Sequence, residues 1–180
     1  LNNKINIDYT KKKISIIGNG NILFQEKNDY FNYEIKKQDD IFKFKTLLKI
    51  TDNPLVLDFL NYEKRKKTQT SIKILGSRNY KNDIILNEFS LNEDENEIKI
   101  NDLKFNQENK ILDLEKIILN YKDKENFDNS FGIFKINNKE YSLRGDSFNA
   151  DKLIENLLDD EKRLNIQIKD FLLSIDINKV

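Results

Sequence analysis

The chain has 180 residues, and 31 Lys and Arg balance 31 Asp and Glu, so its net charge is zero. It contains neither Cys nor His, which excludes disulfides, zinc–thiolate sites, cysteine nucleophiles, Ser-His and Cys-His catalytic pairs and imidazole metal ligands. No run approaches the ~20 apolar residues of a membrane-spanning helix, and the start "LNNKINIDYT" lacks the apolar core of a secretory signal.

The first forty residues read as a β-meander. "INIDY" alternates Ile5, Ile7 and Tyr9, and "KISII" follows across a short Thr-Lys turn. "SIIGNGNILF" puts Asn19-Gly20 between two apolar runs, a strong short hairpin signal. Asn28-Asp29 reads as a second two-residue turn. It leads into "YFNYEIKK", where Phe31, Tyr33 and Ile35 alternate with Asn32, Glu34 and Lys36. Period two with aromatic and branched side chains predicts strand.

Residues 41–50, "IFKFKTLLKI", fit both periods. Phe42, Phe44, Leu48 and Ile50 alternate, while Ile41, Phe44, Leu47 and Leu48 form a helix face that Asp39 or Asp40 can cap; the reading leans to helix. Pro54 breaks the chain, and "LVLDFL" reads as a buried strand. "SIKIL", "DIILNEF" and "EIKINDLKF" are further strands, with "LNEDENE" an acidic tip and Asn101-Asp102 another tight turn. Residues 109–121 switch period: Ile111, Leu114, Ile117, Ile118 and Tyr121 share one helical face. "FGIFKI-NNK-EYSLRG" is a last hairpin. Beyond it Leu153, Leu157, Leu164, Ile168, Phe171, Leu172 and Ile175 keep helical spacing for about seven turns, with a possible break at "DDEKR". The fold expected is α+β: an antiparallel, sheet-dominated domain over 1–148 with a central helix, and a long C-terminal helical segment over 149–180 that packs on it or on a partner.

Charge is unevenly spread. Residues 1–90 hold 17 basic against 11 acidic residues, and residues 91–180 hold 14 against 20. Such a split can steer a partner or let two copies attract, or it can belong to two solvated, complementary halves of one fold.

In a strand, residues two apart share a face, so Glu34 and Lys36 project together. With a turn at Asn28-Asp29, Asn21 falls opposite Lys36. At this point the stretch "GNGNILFQEKNDYFNYEIKK" resembles the PD-(D/E)xK nuclease superfamily. The resemblance implies a Mg²⁺ held by carboxylates on a hairpin, with the Lys positioning the attacking water. Asn21 stands where that pattern has its Asp, and a neutral carbonyl oxygen attracts a hard divalent cation far less than a carboxylate does. Asp8 takes the role only if the first strand lies beside the hairpin on the correct face.

"KRKK", Lys64, Arg65, Lys66 and Lys67, is the densest positive cluster and the candidate for phosphate contacts in a nucleic-acid binder. No phosphate loop, calcium loop, metal-ligand set or cofactor motif is present. The apolar stripe of the C-terminal helix needs a cover, and Leu164, Ile168, Phe171, Leu172 and Ile175 are the surface for a protein partner or a second copy. With nothing arranged for turnover, the expectation is a non-catalytic binding or regulatory module acting through protein–protein interaction. It would be cytoplasmic, without membrane or cofactor, and part of a larger bacterial-type protein, as the lack of Met even at position 1 suggests. The alternatives are the nuclease-like domain through Glu34, Lys36, Asn21 and Asp8, and the nucleic-acid binder.

Overall fold

Period-two alternation is the strongest pattern in the sequence, and strands dominate the structure. The computed structural model describes residues 2–8, 11–79, 83–108, 110–158 and 172–180. In chain order the strands are β1 (Asn2–Asp8), β2 (Lys13–Phe24), β3 (Lys27–Gln38), β4 (Ile41–Ile50), β5 (Val56–Leu57), β6 (Tyr62–Glu63), β7 (Thr70–Arg78), β8 (Ile84–Glu93), β9 (Asn96–Phe105), β10 (Ile111–Lys122), β11 (Asp128–Asn137), β12 (Glu140–Ser147) and β13 (Leu172–Lys179). A 3-10 turn, Asp58–Leu60, links β5 to β6, and the helix α1 (Asp151–Leu158) precedes β13.

Eleven of these strands form one sheet in the order β1-β2-β3-β4-β7-β8-β9-β10-β11-β12-β13. Neighbours run antiparallel up to β12, and β13 joins β12 in parallel. Strands β5 and β6 pair only with each other, as a small ribbon inserted between β4 and β7.

The register lines apolar residues into lanes that cross the sheet. One lane runs Phe31–Leu48–Ile72–Leu91–Ile98–Leu119–Phe131–Gly145–Ile177. A second runs Ile74–Phe89–Ile100–Ile117–Ile133–Leu143–Ile175. Residues directly opposite on neighbouring strands touch, so each lane is a continuous apolar ridge. Its middle is the core: Leu91, Ile98, Leu119, Phe131 and Leu143 are buried together with Tyr62, Tyr121 and Phe148. Toward the two edges the same face opens. Ile5 on β1 is 61% exposed and Ile175 on β13 is 66% exposed, against 3% for Ile98.

The α+β expectation is corrected by these strands. Residues 41–50 and 109–121 both read as helix; the first are β4, and 111–121 of the second are most of β10. Of the long C-terminal helix, Asp151–Leu158 is helical, residues 159–171 lie outside the described residues, and Leu172–Lys179 is a strand. So residues 149–180 are not a helical appendage, because their last part is the eleventh strand of the main sheet.

The stretch 109–121 misleads for an identifiable reason. Strand β8 carries a bulge where Leu75 faces Glu88 and Gly76 faces Leu86. On the next strand, β9, Asp102 adopts φ 48°, and Asn87 donates its amide to the Asp102 carboxylate at 3.2 Å. This irregularity shifts the inward phase from Leu86 to Phe89, from Leu103 to Ile100, and from Leu114 to Ile117, which pack in one connected core. A step of three imitates a helix period.

The predicted turns at Asn19-Gly20, Asn28-Asp29 and Asn101-Asp102 all fall inside strands, and the β2–β3 turn is at Gln25-Glu26, with Gln25 at φ 56°. Gly20 holds φ 145° within β2, a conformation that favours glycine, so there it serves strand shape and not chain reversal. Asp29 is buried, and its carboxylate accepts from Thr51 N at 3.0 Å and Asn53 Nδ2 at 2.6 Å. The acidic tip at 94–95 and the last hairpin, β11–β12, stand where the sequence places them.

Candidate functional site

The inserted ribbon lies over the apolar face of the second half of the sheet. Leu57, Phe59 and Leu60 face Leu86 and Phe89 of β8, Ile98 and Ile100 of β9, Ile117 and Leu119 of β10, Phe131 and Ile133 of β11 and Leu143 of β12, with Phe148 closing one side. Between them is a cavity of about 310 Å³. Five flat strands at about 4.8 Å spacing would spread over roughly 19 Å. One cavity touching all five therefore extends across the strands, as a trough.

Among the described residues, every lining side chain is Leu, Ile or Phe. Among the described residues the trough presents no acid, base, nucleophile or metal ligand. Its size reaches the lower end of ligand pockets, roughly 300–1,000 Å³. An apolar void half as large stays dry and takes up benzene, at about 150 Å³.

Polar groups hold the ribbon in place from beneath. Glu93, at the end of β8, is fully buried. Its carboxylate accepts from Tyr62 Oη at 2.6 Å, Arg65 N at 2.7 Å and Asn96 Nδ2 at 3.3 Å. Burial, and then the Glu93 hydrogen bond and charge, push the Tyr62 phenol well above its ordinary pKa. Tyr121 donates to Leu60 O at 2.9 Å, and its phenol is raised by burial and then by Asp123. Lys124 N donates to Asn61 O at 2.8 Å. At the other end Asn53 donates to Lys27 O at 2.9 Å and accepts from Lys27 N at 3.0 Å.

The residues singled out in the sequence lie elsewhere. Glu34 and Lys36 do share the polar face of β3, where they pair with each other at 2.6 Å. The register puts Asn21 opposite Tyr30, Glu34 opposite Ile17 and Lys36 opposite Ser15, so Asn21 is not beside Lys36. Asp8 pairs with Lys13 on the outer strand, and its carboxylate accepts from Lys11 N at 3.2 Å. Among the described residues no group of three or more Asp or Glu is placed to hold a metal ion.

The basic run is divided. Lys64 is buried and donates its ammonium to Thr51 O at 2.6 Å and Arg65 O at 3.1 Å. Arg65 pairs with Asp94 at 3.6 Å, while Lys66 and Lys67 are exposed. Leu164, Ile168 and Phe171 lie outside the described residues, and Leu172 and Ile175 are exposed on edge strand β13.

The chain matches no protein-family model, no curated protein and no solved structure. No helix among the described residues is long and apolar enough to cross a membrane, which says nothing of strands. The trough was missed in the sequence because its walls come from five strands and an insertion far apart in the chain. The signal the sequence offers is "LVLDFL", which reads as a buried strand, although Asp58 and Phe59 sit in a turn.

Proposed function

We propose that this chain is a non-catalytic binding module whose ligand is an apolar, unbranched chain such as a fatty-acyl tail, held in the trough under the ribbon. The observation that carries the reading is the lining: among the described residues it is thirteen side chains, all Leu, Ile or Phe, around about 310 Å³. The lanes explain the chain-like shape. They run across β8 to β12 in parallel rows, so the space between ribbon and sheet is a slot along the lanes. A polar ligand would leave its own buried groups unpaired, at a cost of roughly 1–3 kcal/mol each, and a branched one would not lie along the slot. The reading keeps binding without catalysis, but it replaces the protein partner expected at the C-terminal helix with a small apolar ligand inside the sheet.

The test is a titration with cis-parinaric acid, an acyl chain that fluoresces when it leaves water. The wild-type protein should bind it saturably, at one site. The Ile100→Trp variant fills the trough and should weaken binding at least tenfold, equivalent to about 1.4 kcal/mol, while its unfolding temperature holds or rises. No saturable binding by the wild type, or equal binding by the variant, contradicts the reading.

A further inference from the structure

Phe59 is set apart from the rest of the lining. It is 47% exposed, whereas the other lining residues are buried or partly buried. A side chain that both lines a cavity and meets solvent stands at its mouth.

The segment carrying Phe59 is held unequally. The β6 limb is fixed to the sheet through Tyr62, Arg65, Asn61 and Leu60. The β5 limb is tied to β6 by the Val56–Glu63 and Leu57–Tyr62 pairs and by the Lys64 N to Leu55 O bond at 2.9 Å. Between them the tip, Asp58 and Phe59, forms a single 3-10 turn closed by Asn61 N donating to Asp58 O at 3.0 Å. Such turns have poorer hydrogen-bond geometry than an α-helix and persist only in short pieces. Among the described residues the tip's ion pair is Asp58 with Lys124 at 3.7 Å, and the Asp58 side chain is 90% exposed, so solvent screens it. Asn61, which ends the turn, sits at φ 51°, ψ 26°, a conformation Asn tolerates.

Opening the tip thus breaks the turn-closing hydrogen bond and a screened ion pair and parts the turn from α1, which packs against it, while the buried anchors through Tyr62, Arg65, Asn61 and Leu60 stay in place. We propose that the 3-10 turn is the gate of the trough and Phe59 its gating side chain, so that ligand enters and leaves past Phe59 while the ribbon's limbs stay fixed. This inference rests on the trough being the ligand site. It adds what controls exchange there.

Stopped-flow mixing of the full chain with cis-parinaric acid separates the two ideas. The chain has no Trp, so Phe59→Trp adds a bulkier gate and a local probe, and Phe59→Ala removes the gate. A gate that limits exchange predicts association about tenfold faster in Phe59→Ala and several-fold slower in Phe59→Trp, with dissociation shifted in the same direction. A residue that is merely part of the wall changes dissociation and leaves association near the wild-type value, as contact mutations do. Association unchanged in both variants overturns the gate while the trough reading stands. Absence of saturable binding by the wild type overturns the trough reading and the gate with it.

Discussion

Replacing Glu93 with alanine is expected to destabilise the fold by about 3 kcal/mol, because three donors lose their acceptor in a buried site. Tyr62 Oη, Arg65 N and Asn96 Nδ2 all give hydrogen bonds to this carboxylate, and both Glu93 and Tyr62 are fully buried. Water cannot replace the lost acceptor without entering the core. For a chain of this size the melting temperature should fall by roughly 10 °C. Glu93→Gln keeps one acceptor oxygen but turns an amide toward the other donors, so it should recover about half of the loss. The damage should be local before it is global. Backbone amides of 58–65, which these bonds hold against the sheet, should exchange with deuterium faster than those of β9 and β10. A loss below about 1 kcal/mol for Glu93→Ala would mean that the ribbon is not fastened through this carboxylate.

Gly145→Ala is the second large effect. Gly145 lies opposite Phe131, next to a register irregularity between Ser130 and Phe131. A Cβ there would strike Ser130 O and approach Phe131 Cα at 2.5 Å and Phe131 Cβ at 2.6 Å. Two of the three are backbone atoms, so the strands must move apart, at a cost of about 3 kcal/mol or more. Gly18 is the control. A Cβ there meets the Tyr33 ring and Asn3 Oδ1, which are side-chain ends that can turn away, so Gly18→Ala should cost about 1 kcal/mol. Thermal or urea unfolding of the two variants checks the order, and equal losses would refute it. Since Phe131 also lines the trough, Gly145→Ala should weaken ligand binding as well.

Much of the sheet was legible from alternation. The strands at 71–75, 83–89 and 97–105 and the last hairpin are found where the residues predict them, because most inward positions carry Ile, Leu, Phe or Tyr and most outward ones a polar group. What failed was punctuation. Asn19-Gly20 and Asn101-Asp102 are turn-like dipeptides placed in mid-strand, where a positive φ bends or bulges a long strand and does not reverse it. Ile111, Leu114, Ile117 and Tyr121 read as a helix because a register irregularity spaces inward residues by three. With the true turn at Gln25-Glu26, the hairpin that would have brought Asn21 to Lys36 does not form. Lys64, read as part of a basic surface, is buried under the ribbon it helps to close. A local pattern cannot report this, because Thr51 O and Arg65 O become its partners only once the segment folds back.

The account depends on the apolar lanes enclosing a site that a ligand can occupy. Methyl-resolved NMR of isoleucine-labelled protein during titration with decanoate tests this most directly. The expected result is that Ile98, Ile100, Ile117 and Ile133, which line the trough, shift together along one saturating curve, while the edge residues Ile5 and Ile7 stay still. Shifts confined to Ile5, Ile7 and Ile175, or no saturable shift at all, would contradict it.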